Sequence, residues 1–198
     1  TLPPSELRAI LEAEGYNYRI LEKLAQVLRV EADIKSVEAV KSRSAMTRVC
    51  SLEFFNCEAT VASILEKARS ADLEGFIEEG ESFAVRVRRV GETAPDISRL
   101  GLERKLGEII LNNAKGTKVN LADPQKTFFG VLTENRLVFG LKVAEISAKP
   151  SIERNPQKRP FFHPSAMPAK LARCMVNLAR PKAGDLVLDP FCGTASIL

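Results

Sequence analysis

A chain of 198 residues with 45% hydrophobic and 27% charged side chains can build one or two domains with real cores; no apolar run is long enough to span a bilayer and the first residues do not pattern as a signal peptide, so no membrane and a cytoplasmic location are expected. Four cysteines without C-x-x-C spacing and a single histidine argue against a metal site, leaving reduced, buried thiols, with a Cys50–Cys57 pair open if the source is a hyperthermophile. The net charge of +4 conceals an asymmetry: residues 1–83 carry 10 Lys/Arg against 15 Asp/Glu, residues 84–198 carry 19 against 10, so a polyanion is expected on the second part, a solvated basic face being the alternative.

Prolines at 3 and 4, the apolar set Leu7, Ile10 and Leu11, and a stop at Gly15 predict a first helix. Tyr16–Leu21 and Gln26–Glu31 alternate like paired strands, Asp33 can cap a helix running through Val40, and Thr47–Phe55 reads as a further strand. The order helix, strand, strand, helix, strand is that of a ferredoxin-like unit without its opening strand. Residues before Thr1 are therefore expected in the natural protein, with an unpaired or substituted sheet position beside Thr47–Phe55 or its neighbour. Residues 1–70 form this first domain.

Glu58–Arg69, with Val61, Ile64, Leu65 and Ala68 at helical spacing, is an amphipathic connector. In Ser82–Val90 the period of two puts Phe83, Val85 and Val87 on a core face and Ala84, Arg86 and Arg88 on the other. Leu102, Leu106, Ile109 and Ile110 mark a helix whose Gly107 costs propensity, so a close neighbour is expected there, while Arg104 and Lys105 lie off the stripe. Lys118–Leu121, Thr127–Leu132 and Leu137–Val143 are further strands. Arg86, Arg88, Arg89, Arg104, Lys105, Lys115 and Lys118 are cations of this stretch, and arginine forks match the geometry of phosphate. Each could equally be a plain surface charge paired with an acid such as Glu103 or Glu108.

Residues 149–160, polar and with prolines at 150, 156 and 160, read as a linker. Pro168–Ala179 reads as a helix with Leu171, Met175 and Leu178 inward, and Pro181–Asp185 as a turn. Leu186–Asp189 then reads as a buried strand leading to a glycine-bearing corner, where an open α/β sheet presents its ligand site. Gly193 lets the backbone approach a ligand, and the amides of Thr194 and Ala195 can open a helix whose positive end favours a carboxylate.

Two resemblances rest on these residues. Asp189-Pro190-Phe191-Cys192-Gly193-Thr194 resembles the first motif of S-adenosylmethionine-dependent amino-methyltransferases acting on RNA, and the segment from Arg159 to Asn177 is similar to what precedes that motif. The set Phe83-x-Val-Arg86-x-Arg88-Arg89, Leu106-Gly107 and Val119-Asn120-Leu121-x-Asp123-Pro124 resembles the THUMP domain, an RNA-binding module of tRNA-modifying enzymes. Together they are similar to the archaeal tRNA guanosine-10 N2-methyltransferases, although Ala195 stands where that family usually carries a second glycine.

The resemblance implies an α+β part, ferredoxin-like unit then THUMP domain at 71–148, followed by the truncated start of an α/β Rossmann-like methyltransferase domain at 161–198. It implies tRNA as partner, with Arg86, Arg88, Arg89, Arg104, Lys105, Lys115 and Lys118 as candidate RNA contacts because A-form RNA is read through its backbone, and S-adenosyl-L-methionine as cofactor, held by Phe162, His163, Pro164, Asp189, Pro190, Phe191, Cys192, Gly193 and Thr194. No catalytic residue is assigned. The Asp-Pro-Pro-Tyr loop that such enzymes use to hold a flipped base does not occur in this sequence, since Asp123-Pro124 is followed by Gln125, so the chain alone is expected to be inactive and its last residues to pack poorly. A ribosomal-RNA guanine N2-methyltransferase and a non-catalytic THUMP adaptor are the alternatives. Thiouridine synthesis fits poorly, lacking a pyrophosphatase loop and a catalytic cysteine pair.

Overall fold

The computed structural model describes residues 1–73, 75–114, 116–158, 163–164 and 166–197. In chain order it forms α1 (Leu2–Ala13), β1 (Tyr18–Leu24), β2 (Val27–Ala32), α2 (Ser36–Arg43), β3 (Val49–Glu58), α3 (Val61–Ser70) and β4 (Ser82–Arg89). There follow α4 (Arg99–Asn113), β5 (Lys118–Val119), β6 (Lys126–Thr133), β7 (Arg136–Glu145), α5 (Lys149–Glu153), a 3-10 turn (Pro156–Lys158) and α6 (Ala169–Leu178). From α1 to β7 the element order is the one the sequence predicts. The first two strands begin two and one residues later than expected, and the hairpin turn between them falls on Ala25-Gln26, where Gln26 takes a left-handed φ of +59°. Asp33 caps only the turn before α2, through Lys35 N–H at 2.8 Å. Thr60 and Ser98 cap α3 and α4, accepting from Ser63 N–H and Gly101 N–H at 3.2 Å each.

Three sequence expectations need correction. The linker is not structureless, for Pro150 and Pro156 lie at the start of α5 and of the 3-10 turn, where proline begins a helix instead of breaking one. Leu186–Asp189 is not a strand: Leu186 is 99% and Leu188 82% exposed, and no strand among the described residues pairs with them. Cys50 and Cys57 cannot bond, being seven residues apart on β3, roughly 23 Å at ~3.3 Å per residue.

By contact the chain divides into two units. One unit comprises Glu22–Leu28 and Ser51–Val143. Its strands run in the order β3-β7-β6-β4-β5, with β4 parallel to both β5 and β6 and β6 antiparallel to β7. Phe83, Val85 and Val87 face a core shared with Ile64, Leu102, Leu106, Phe128 and Phe139, as the period of two predicts; Ala84, assigned to the open face, is buried as well. Phe128 stacks on Phe139 at 6.3 Å between centroids and meets the Phe83 ring edge-on at 5.7 Å. Gly140 is obligatory, since a Cβ there would lie 2.0 Å from the Leu52 carbonyl oxygen. Gly107 is not: a Cβ would meet only Val85 Cγ2 at 3.9 Å, an ordinary contact and not the close approach expected. β5 pairs with β4 only at Ser82 and Phe83; beyond them the Val87 N–H donates to Glu103 Oε1 at 2.7 Å. At the tip of the β1–β2 hairpin, Ala25 accepts from the buried Thr133 hydroxyl at 2.9 Å and donates to Glu134 Oε1 at 2.9 Å.

The other unit comprises Thr1–Leu21, Arg29–Cys50 and the residues from Ala144 on. Its apolar cluster is small, with Ile10, Leu11 and Val40 at the centre and Leu7, Tyr16, Tyr18 and Val30 around them. Along α6 the buried residues are Ala172, Cys174 and Asn177, whereas Met175, expected inward, is 44% exposed. The cause is the surface that α6 meets: a charged residue of α1, where small and polar side chains fit and a thioether does not. The last residues therefore do not pack poorly throughout, since α6 is docked, while His163 and Pro164 ahead of it and most of the stretch after it are exposed.

Candidate cofactor site and basic surface

Two short segments flanking α6 form the walls of an open concavity of about 600 Å³, within the size range of small-molecule sites. His163 and Met167, before the helix, supply one wall; Asp189 and the stretch from Phe191 to Thr194, after it, supply the other. Asp189 Oδ1 accepts from the Phe191 N–H at 3.1 Å, which folds the chain into a corner. Gly193 takes φ +50°, and the nearest atom to a Cβ placed on it is the Phe191 carbonyl oxygen at 3.8 Å, so the space before it is open. Ala195 also takes a left-handed φ, +55°, at a position better suited to glycine, and its N–H closes the turn on Cys192 O at 2.7 Å. The expected helix from Thr194 does not form; residues 193–195 are a turn. Pro164 and Pro190 are exposed beside these walls, and Phe162 lies outside the described residues.

The element between the walls is anchored by a polar node absent from the sequence reading. Glu6, 0% exposed, accepts four hydrogen bonds: Oε1 from Ala45 N–H at 2.9 Å and Asn177 Nδ2 at 2.8 Å, Oε2 from Met46 N–H at 2.8 Å and Ser44 Oγ at 2.9 Å. An ionised carboxylate is acceptor-only with about four lone-pair sites, and the donors match that number. The end of α2 leaves carbonyls without helical partners, and α6 satisfies them: Arg43 O accepts from Asn177 Nδ2 at 2.9 Å and Arg173 Nε at 2.7 Å, and Ser42 O from the Arg173 guanidinium. Outside this, Arg180 Nε pairs with Glu12 Oε2 at 2.5 Å, and Arg43 bonds Glu14 at 2.6 Å and Pro181 O at 3.0 Å. The Arg180 guanidinium, and after it the Tyr18 hydroxyl, holds the Glu12 carboxyl below its usual range. Burial pushes the Cys174 thiol up, with Glu6 adding to the effect. One sequence signal pointed to the node: Glu6, Ile10 and Ala13 lie on one helical stripe, and a charged residue inside an apolar stripe needs partners.

The basic candidates separate into two groups. Arg88, Arg104, Lys105 and Lys118 are exposed. Arg86 and Arg89 are half-buried and bonded to nearby backbone: Arg86 to Leu121 O at 2.6 Å, Arg89 to Ala94 O at 2.9 Å and to Ile97 O. Lys115 lies outside the described residues. The Glu103 carboxylate engages Val87 N–H, so the acid weighed as a partner for the neighbouring cations is occupied by backbone. The charge asymmetry along the chain does not follow the units. The unit holding β4 and α4 carries 14 Lys/Arg against 15 Asp/Glu, a net of −1, and the other 15 against 10, a net of +5, because the latter gathers three separate stretches. Among the described residues no cluster of three His, Cys, Asp or Glu could hold a metal ion, and no helix is long and apolar enough to cross a membrane.

Comparison with known proteins gives two domain matches, a THUMP domain at residues 58–141 and UPF0020, an RMKL-like methyltransferase domain, at residues 156–198. The tRNA (guanine(10)-N2)-dimethyltransferase of Methanothermobacter thermautotrophicus is 36% identical over 204 residues, spanning 100% of this chain and 56% of that protein. Its namesake from Methanocaldococcus jannaschii is 34% identical over 212 residues, spanning 100% and 59%. The solved structure of SMU.472 complexed with SAH superposes with a TM-score of 0.58, covering 98% of this chain and 51% of that one at 12% identity, a likeness of fold alone. The chain thus spans little more than half the length of the curated relatives it matches.

Proposed function

We propose that the chain belongs to the THUMP-bearing methyltransferases and carries the tRNA-anchoring part and the first cofactor motif of an S-adenosylmethionine-dependent tRNA (guanine-N2)-methyltransferase acting on guanosine 10. The observation that carries the reading is likeness, along all of this chain, to two proteins named for that modification. Cytoplasmic location follows as part of the same proposal. The ferredoxin-like reading of residues 1–70 has the element order from α1 to β3 behind it but not the sheet, since β1 and β2 pair in a two-stranded sheet of their own and β3 pairs with β7 in the five-stranded one.

The concavity fits the cofactor by size, by its open backbone corner and by a mix of apolar and acidic wall. Bound there, S-adenosyl-L-methionine would supply an electrophilic methyl group on a sulfonium. Asp189 accepts hydroxyl donors, Gly193 admits close approach of the backbone, and Met167 and Phe191 exclude water from the apolar part. Phe162, His163, Pro164, Pro190, Cys192 and Thr194 complete the candidate set on the strength of the motif. Arg88, Arg104, Lys105, Lys115 and Lys118 meet RNA phosphates, while Arg86 and Arg89 brace the loops around them and add charge.

The full-length protein, incubated with labelled methyl donor and unmodified tRNA, should place label on the exocyclic amine of guanosine 10. Label elsewhere would reject the assignment, and tRNA binding with no transfer at all would favour an adaptor. Replacing Arg88 and Arg104 by alanine should weaken tRNA binding and lower its salt slope by about 1 per lost phosphate contact.

A further inference from the structure

We infer that Glu6 is a positioning residue for the cofactor site: from the first helix of the chain it locks α6 in place and thereby orients both walls of the concavity. This rests on the cofactor reading above. Among the described residues α6 is the only helix between the two walls, with His163 and Met167 ahead of it and Asp189 to Thr194 behind it. Its inward face is set by Asn177, which reaches both Glu6 Oε1 and Arg43 O, and by Arg173 on the same carbonyl. The residues on which α6 rests are themselves ordered by Glu6, whose carboxylate holds the Ala45 and Met46 amides and the Ser44 hydroxyl just past the end of α2. The Ser44 hydroxyl in turn accepts from Thr47 N–H at 3.0 Å. One buried side chain therefore fixes α1, the end of α2 and α6 together. Plain packing would have required no charge here, and burying a carboxylate is costly unless every lone pair is met. A donor set that meets all four, drawn from two separate stretches of chain and closed on a third, specifies a single orientation of α6. A helix left free to shift by about 1 Å would move both walls, and misplacement of that size commonly costs catalysts up to about a hundredfold.

The test uses Glu6→Gln in the full-length protein. Whichever way the new amide turns, its NH2 meets a backbone N–H, that of Ala45 or that of Met46. Two readouts are taken: affinity for S-adenosylmethionine and S-adenosylhomocysteine by calorimetry, and the rate of iodoacetamide labelling at Cys174, which is 0% exposed in the docked helix, mapped by peptide mass spectrometry. Val40→Ala, a truncation in the α1–α2 core, serves as the control for general loss of stability. Ser44→Ala removes one donor of the four and gives the milder version should Glu6→Gln fail to fold. The expected result is labelling of Cys174 about tenfold faster and cofactor affinity about tenfold weaker in Glu6→Gln, with tRNA affinity kept and Val40→Ala unchanged in both. Fast labelling with undiminished cofactor affinity, or affinity lost equally in Val40→Ala, would overturn the inference and leave the proposed function intact. No cofactor binding by the unsubstituted protein would instead overturn the proposed function.

Discussion

The unit built on the five-stranded sheet and the unit built from three separate stretches are held together by different means. In the first, ring contacts among Phe55, Phe83, Phe128 and Phe139 and the apolar face of α4 make a core that burial alone accounts for. In the second the apolar cluster is small, and a buried carboxylate with four donors does much of the joining. Apolar packing tolerates substitution at some loss of stability, whereas a polar node is satisfied in one arrangement only. The first kind suits the RNA platform proposed above; the second suits the proposed cofactor site, whose walls would have to be set to within a fraction of an ångström.

The contrast can be broken or sharpened by substitution. Phe128→Ala should cost the most, about 4 kcal/mol in urea unfolding, because it empties the centre of the aromatic cluster. Cys174 labelling should not change with it; if it did, the two units would not be held independently. Glu6→Ala follows at about 3 kcal/mol, through two backbone amides, a hydroxyl and a carboxamide deprived of their acceptor. A loss below about 1 kcal/mol would show that the node holds little. Gly107→Ala should raise stability by about 1 kcal/mol, since helix propensity improves and the new methyl meets only Val85.

Smallest is an acid effect at the exposed Arg180–Glu12 tie. Because the Glu12 carboxyl is held below its usual 4.5 in the folded chain, the unfolded chain takes up the proton first as pH falls. The stabilisation is complete above about 4.5 and is lost as pH drops through the lowered folded value. Acid unfolding of Glu12→Gln should be correspondingly less steep below that point; identical curves would remove the tie from the account.

Periodicity made the apolar unit legible. Phe83, Val85 and Val87 alternate, and Leu102, Leu106 and Ile110 repeat at helical spacing, so the sheet and its covering helix could be assigned from sequence. The node could not, because Glu6 meets partners 38 to 171 residues away and no local pattern couples such positions. Met175 was misassigned for the same reason: its stripe is apolar in sequence, but the surface opposite is not. The corner from Asp189 to Gly193 was legible as a motif, since a turn of that composition has few ways to fold. The strand before it was not realised, because Leu186–Asp189 finds no partner strand among the described residues.

The short β5 has a further effect. Past Phe83 the margin of β4 would offer bare amides and carbonyls to any extended segment drifting by, yet Glu103 occupies the Val87 N–H and the Arg86 guanidinium leans across to Leu121 O. Such plugging by charged side chains denies a stray polypeptide the ladder it would need to zip on, and so guards a protein crowded at high concentration against fibrous self-assembly along that margin.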